Sequence, residues 1–151
     1  MHKLRSLLLV EDNIYDAELI MTGLEENNLA NSVINVRDGE EALDYLYIRG
    51  KFSDRMDGNP AVVLLDLNLP KISGLEVLRQ MKNDEKMKLI PVVILTSSRE
   101  DRDIIEGYAL GTNGYVVKPI DFHEFVDTIK QLGVFWAIVN EPPPGSACIT
   151  I

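Results

Sequence analysis

The chain has 151 residues, a mass of 17.0 kDa and 46% hydrophobic residues, which fits one domain that buries about 68–70% of its unfolded surface. Its 15 Lys and Arg against 24 Asp and Glu give a net charge of −9, which argues against nucleic-acid binding because nucleic-acid backbones are polyanions. Cys148 is the only cysteine, so an intrachain disulfide and a multi-thiolate zinc site are excluded and a reducing compartment is expected.

The first apolar run predicts a strand rather than a leader segment. Leu7–Val10 is shorter than the core of a signal peptide or a membrane span, and Glu11 follows it at once. We therefore expect a cytoplasmic protein with no membrane contact.

Three apolar runs lack polar alternation, which is typical of parallel strands buried on both faces. They are Leu7–Val10, Val62–Leu65 and residues 92–95. A weaker strand is predicted at residues 32–36 and a fifth at Gly114–Val117.

Between these strands, apolar residues recur at helical spacing. Asp38 and Asp121 supply helix start signals after the second and fifth strands. Five β-α units in this length predict an α/β fold with a doubly wound, open parallel sheet, because right-handed crossovers place helices on both faces. The apolar helical positions are Ala17, Met21, Leu24, Leu43, Leu46, Leu75, Leu78, Met81, Ile105, Tyr108, Phe122, Phe125, Ile129 and Leu132.

The last helix is predicted to continue past Leu132 until the prolines at 142–144 end it. The expected organisation is a domain at residues 1–132 and a helical extension with a Pro-rich tail at residues 133–151. Adjacent Phe135 and Trp136 point in different directions on a helix, and they either pack on their own domain or form an interface. The tail is either disordered, as termini often are, or held by other parts of the protein.

Polar side chains follow four of the five predicted strands. Glu11 and Asp12 follow the first strand, Asp66 the third, Thr96 ends the fourth, and Lys118 follows the fifth. Ligands of such sheets bind outside the carboxyl ends of the strands. Each residue alone has an ordinary interpretation, as a helix cap, a turn hydroxyl or a solvated lysine, but together they predict a site.

The residue types at this rim suggest phosphoryl transfer. Three carboxylates in one cleft repel each other unless a hard cation lies among them, and Mg²⁺ fits oxygen ligands of this kind. Asp66 can attack phosphorus and form an acyl phosphate, while Lys118 and Thr96 donate hydrogen bonds to the incoming oxygens. Glu11 and Asp12 would hold the metal or its waters.

These motifs, in this order and spacing, resemble the receiver domain of bacterial response regulators from about Arg5 to Leu132. The resemblance implies a flavodoxin-like sheet ordered 2-1-3-4-5 and phosphotransfer from a phosphohistidine of a sensor histidine kinase. It also implies Mg²⁺ at three carboxylates and at the main-chain carbonyl of Asn68. The segments that carry the resemblance are Glu11-Asp12, Asp66-Leu-Asn-Leu-Pro with Gly74, Thr96-Ser97, and Tyr115-Val-Val-Lys118-Pro119. Glu at position 11 and Ser at position 97 replace the more usual Asp and Ala, and both leave the chemistry intact.

The resemblance also implies a switch. Thr96 is expected to move toward the phosphoryl group and Tyr115 to turn inward, which reshapes the face formed by the fourth helix, fifth strand and fifth helix. The Lys118-Pro119 peptide bond is expected to be cis.

Two further features are similar to a narrower branch, the single-domain regulators of phytochrome-type histidine kinases. They are Lys71 after the Asp66 motif and Gly133-Val-Phe-Trp136 followed by prolines. That branch tends to dimerise through its terminal region, so Phe135 and Trp136 are expected interface residues of a homodimer. The output is expected to be a downstream protein or a phosphotransfer protein.

Two other functions compete with a non-enzymatic switch. An aspartyl-phosphate phosphohydrolase would need an acid-base carboxylate two residues after Asp66, where the chain has Asn68. A receiver-like binding module that is never phosphorylated usually lacks the acceptor, an acidic partner or the lysine, all of which are present. His2 and His123 lie at no metal-binding or phosphorelay spacing.

Overall fold

The computed structural model describes residues 3–150, in which five strands form one parallel sheet. When these five strands are numbered along the chain, their order across the sheet is 2-1-3-4-5, which confirms the expected topology. A separate antiparallel pair joins the two ends of the chain. The strands are β1 (Lys3–Arg5), β2 (Leu7–Val10), β3 (Val33–Val36), β4 (Val62–Leu65), β5 (Val92–Thr96), β6 (Gly114–Val117) and β7 (Cys148–Thr150).

Four of the five α-helices begin at a side-chain cap. Asn13, Asp38, Ser73 and Asp121 each accept a hydrogen bond from the backbone N–H three residues later, which satisfies a donor that the first turn leaves unpaired. No helix in the described range combines the length and hydropathy that crossing a membrane requires. The helices are α1 (Ile14–Glu25), α2 (Gly39–Tyr47), α3 (Gly74–Lys82), α4 (Asp101–Leu110) and α5 (Phe122–Val134).

Different helices cover the two faces of the sheet. Along β2, Leu8 and Val10 face one core and Leu7 and Leu9 face the other, because successive side chains of a strand point to opposite faces. Residues of α2 and α3 complete the first core, and residues of α1 and α5 complete the second. With both faces covered, the carboxyl ends of the strands are the place where polar side chains gather.

The chain beyond α5 turns back onto its own domain. The helix passes directly into a π-helical segment, Phe135–Val139, so the predicted boundary at residue 132 lies inside a continuous helical stretch. β7 pairs with β1, and the backbone of Asn59 forms hydrogen bonds with Gly145 and Ala147. Main-chain hydrogen bonds thus hold the Pro-rich tail, which ends in a strand that no pattern in the sequence predicts.

Phe135 and Trp136 lie in different environments. Trp136 packs against the core between the sheet, α1 and α5, whereas Phe135 is 45% exposed and has exposed Ile138 and Val139 beside it. The two rings contact each other edge to face, with centroids 5.0 Å apart. Of the two expected interface residues, Phe135 is therefore the one on the surface, and the dimer itself stays a prediction.

Candidate functional site

Asp66 lies at the carboxyl end of β4 and is 7% exposed. Its backbone N–H donates to Val10 O at 3.1 Å, so the parallel ladder extends to this residue. Gly74, the first residue of α3, packs on it so closely that a Cβ there would lie 2.1 Å from Asp66 O. The helix and the strand together hold the Asp66 backbone at the rim.

Glu11 and Asp12 follow the neighbouring strand, β2. Glu11 is buried and Asp12 is exposed, yet each offers a carboxylate oxygen within 4.8 Å of the others and of one from Asp66. Desolvation of the buried Glu11 carboxyl raises its pKa to about 7, and the charge of Asp66 adds to this effect. The hydrogen bond from Lys118 lowers the pKa but does not cancel the increase. Crowded carboxylates with this cost of ionisation fit a divalent cation, which binds through hard oxygen ligands.

Lys118 brings a positive charge into the same site. Its Nζ lies 2.6 Å from Glu11 Oε1, 2.8 Å from Asp16 Oδ2 and 3.1 Å from Asp66 Oδ2. Burial alone would lower the pKa of this ammonium, but hydrogen bonds to Asp16 and Glu11 and the charge of Asp66 outweigh burial and raise it. Lys118 is therefore held protonated, with a carboxylate for each of its three N–H donors.

The Lys118-Pro119 peptide bond differs from the expectation. All peptide bonds of residues 3–150 are trans, so the expected cis bond is wrong in this structure. The trans isomer is the more stable one for an X-Pro bond by about 0.5–1 kcal/mol. With this isomer Lys118 N–H still donates to Thr96 O at 2.7 Å, and the ammonium still reaches the acidic site.

Thr96 and Tyr115 both contact the backbone of Ser98. Leu65 pairs with Ile94, so Asp66 and Thr96 leave neighbouring strands at the same end of the sheet. Thr96 is fully buried, and its Oγ1 accepts a long 3.4 Å hydrogen bond from Ser98 N–H. The half-buried Tyr115 hydroxyl donates to Ser98 O at 3.0 Å. The two predicted switch residues are thus linked through one loop residue.

Asn68 lies beside the predicted acceptor, with its backbone N–H 3.4 Å from Asp66 Oδ1. The Ser98 hydroxyl donates to Asp103 Oδ2 at 2.6 Å and so ties the loop to α4. Asp16 is absent from the predicted site because it lies within a helix, α1, and not at the end of a strand. Its position in the first turn of α1 has an ordinary interpretation, a favourable interaction with the helix dipole.

The model of the response regulator receiver domain family matches residues 7–130. The chain belongs to this family. Membership makes it a phosphorylation-dependent signalling protein of the two-component type with a histidine kinase as partner, which confirms the function class that the motifs predict.

Two curated relatives cover most of this receiver. The probable methanogenesis regulatory protein FilR2 of Methanothrix harundinacea is 39% identical over 91% of this chain and 86% of its own length. Response regulator Rcp1 of Synechocystis sp. is 35% identical over 86% of this chain and 87% of its own length.

Three solved structures share the fold. The phosphorylated cyanobacterial phytochrome response regulator RcpA has a TM-score of 0.82 at 38% identity, over 90% of this chain and 94% of its own. The Mn²⁺-bound form of Rcp1 has a TM-score of 0.85 at 34% identity, over 92% of this chain and 99% of its own. The bacteriophytochrome response regulator RtBRR has a TM-score of 0.74 at 56% identity, over 95% of this chain and 86% of its own. A divalent cation thus occurs in one relative of this receiver and a phosphorylated form in another.

Proposed function

We propose that Asp66 is the phosphoryl acceptor of this receiver and that Mg²⁺ is its cation. The observation that carries the proposal is the position of the Lys118 ammonium, 3.1 Å from Asp66 Oδ2 at a buried strand end. A carboxylate can attack phosphorus through its own lone pairs, and the ammonium fixed beside it can stabilise the charge that a phosphoryl group brings.

In the proposed reaction, a carboxylate oxygen of Asp66 attacks the phosphorus of a phosphohistidine on the kinase. An O–P bond forms and the P–N bond breaks, and its electron pair returns to the imidazole, which takes a proton from solvent. Lys118 and Thr96 donate hydrogen bonds to the phosphoryl oxygens. Mg²⁺, when bound, offsets the negative charge shared by the carboxylates and the phosphoryl group. Glu11, Asp12, Asp66 and the main-chain carbonyl of Asn68 would hold it.

The signal would leave through α4, β6 and α5. A Thr96 hydroxyl drawn toward a phosphoryl oxygen pulls on the Ser98 loop, to which Tyr115 is also hydrogen-bonded at 3.0 Å. Ser98 is bonded in turn to α4 through Asp103. A small movement at the acceptor is therefore passed to the face that a downstream protein or phosphotransfer protein would read.

We propose a switch rather than an enzyme because position 68 is Asn. Hydrolysis of an aspartyl phosphate as a turnover reaction needs a general base, and an amide cannot take up the proton of an attacking water. We also propose a phytochrome-type kinase as partner and the cytoplasm as compartment. The names of RcpA and RtBRR support the first, and the single cysteine supports the second.

Phosphorylation is tested with acetyl phosphate and Mg²⁺, with intact mass and acyl-phosphate trapping as readouts. The expected product carries one phosphoryl group on the peptide that contains Asp66, and Asp66→Asn abolishes it. Asp101→Asn, which removes an acidic side chain at the start of α4, is the control and is modified like wild type. A wild-type protein without modification, or an equally modified Asp66→Asn variant, would refute the proposal. Phosphotransfer from a phytochrome kinase, compared with an unrelated kinase, tests the partner.

We further propose that the chain forms a homodimer through the exposed side chains of its π-helical segment. Phe135 and Val139 line a shallow groove with Val134, and both are exposed. Phe135→Ser combined with Val139→Ser is expected to give a monomer in light scattering. Ile120→Ser, which changes an apolar residue that is 98% exposed elsewhere, leaves the dimer intact. Equal masses for wild type and the double variant would contradict this contact.

A further inference from the structure

Asp16 contacts the reactive site from outside the family's strand-end motifs. It is the third residue of α1, and its Oδ2 lies 2.8 Å from Lys118 Nζ, across 102 positions of sequence. Its side chain is 28% exposed. Within the described residues the carboxylate accepts this one hydrogen bond, so its interaction with Lys118 is not shared with another donor.

The three carboxylate partners of Lys118 do not have the same fate during phosphorylation. Glu11 and Asp66 belong to the group whose oxygens converge within 4.8 Å and fit a cation, and Asp16 does not. When Asp66 becomes an acyl phosphate, the oxygen bonded to phosphorus loses its charge and becomes a poor acceptor. Asp16 is thus the one partner of Lys118 that is neither a proposed ligand of the cation nor the residue that becomes phosphorylated.

Asp16 is held in place before any ligand binds. Its backbone N–H donates to the Asn13 cap at 3.0 Å, and Ala17 N–H donates to Asn13 O at 2.9 Å. A carboxylate at this position also faces the positive end of the helix dipole. These hydrogen bonds fix the backbone of the first turn of α1, so the short Asp16 side chain offers its carboxylate to the long, flexible lysine from a fixed position.

We infer that Asp16 is a positioning residue, which anchors the Lys118 ammonium beside Asp66 while the phosphoryl group arrives. This inference rests on the proposed function of Asp66. Without Asp16, the Lys118 ammonium keeps only Glu11 and Asp66 as partners, and both are proposed ligands of the cation. The ammonium is then no longer held where it can donate to the incoming phosphoryl oxygens. The rate of phosphoryl transfer depends on the position of this ammonium, because a misplaced donor stabilises the transition state less.

The test is Asp16→Asn, which keeps the shape of the side chain and removes its charge. With acetyl phosphate at saturating Mg²⁺, the carboxylate of Asp66 attacks phosphorus and acetate leaves. We expect the rate constant to fall about tenfold, as for loss of one charge-assisted hydrogen bond. Glu41→Gln is the matched control, since Glu41 is the third residue of capped α2 and pairs with Lys51. It loses the same charge and should react like wild type.

A second readout needs no phosphorylation. In NMR spectra of the protein without acetyl phosphate, the Lys118 ammonium protons are protected from exchange in wild type and in Glu41→Gln, and they exchange faster in Asp16→Asn. Equal rates and equal protection in all three proteins would overturn the inference. So would an Asp16→Asn variant that is slow at low Mg²⁺ but reaches the wild-type rate at saturating Mg²⁺, since Asp16 would then act on the cation. If wild type itself is not phosphorylated, the NMR comparison still decides the Lys118 contact, and the proposed function alone fails.

Discussion

Gly74→Ala tests whether the start of α3 fixes the backbone of Asp66, the proposed acceptor. A Cβ at this position would lie 2.1 Å from Asp66 O and 2.7 Å from Leu67 Cα, whereas ordinary contacts begin near 3.4 Å. Both atoms belong to the backbone, which cannot rotate away as a side chain can, so α3 must move by more than an ångström. Overpacking of this kind costs about 3 kcal/mol, at the upper end of its usual range. For a chain of this length, that loss lowers Tm by roughly 6–12 °C.

The assay is urea unfolding followed by circular dichroism, with phosphorylation by acetyl phosphate measured on the folded variant. We expect a lower unfolding midpoint and slower modification, because the displaced helix shifts the Asp66 carboxylate from Lys118. Gly114→Ala is the matched control. A Cβ there would meet Val93 methyls at an ordinary 3.7 Å, so its stability should stay within about 0.5 kcal/mol of wild type. A Gly74→Ala protein as stable as this control would refute the packing argument.

Three other outcomes follow from the site. Divalent-cation affinity, measured by calorimetry, should weaken by up to tenfold for each pH unit below about 7. The pKa of Glu11 is raised to about 7, so below that pH a proton on Glu11 competes with the cation. An affinity that is constant from pH 6 to 8 would contradict this competition. Tyr115→Phe loses the hydrogen bond to Ser98 O and should cost about 1 kcal/mol in urea unfolding, whereas Tyr108→Phe, on the exposed face of α4, should cost nothing measurable. Lys118→Met leaves the carboxylates without their buried cation, so added Mg²⁺ should raise its Tm by more than that of wild type; an equal or smaller rise would show that Lys118 does not balance this charge.

The strands and their polar ends were predictable because both depend on local patterns. A strand buried on both faces must be apolar throughout, so Leu7–Val10 and Val62–Leu65 are visible without knowledge of any partner. The residue that follows a strand emerges at the sheet rim, which places Asp66 and Lys118 there by sequence position alone. Cap residues such as Asp38 act on their own helix and are equally local.

The contacts that sequence reasoning missed join distant segments of short or ambiguous pattern. β1 and β7 have three residues each, too few for a periodic signal, and each forms only because the other end of the chain lies beside it. Phe135 and Trp136 are both apolar and adjacent, and their separate environments follow from the direction in which α5 packs on α1.

By itself, the sequence determined that four strand ends of an α/β sheet carry three carboxylates, a hydroxyl and a lysine. The tertiary structure alone decided that Lys118 also pairs with Asp16 at 2.8 Å. An aspartate in the first turn of a helix satisfies the helix dipole wherever it points. Its chemical role depends on a distance to a residue on another element, and only the packing of α1 beside the end of β6 sets that distance.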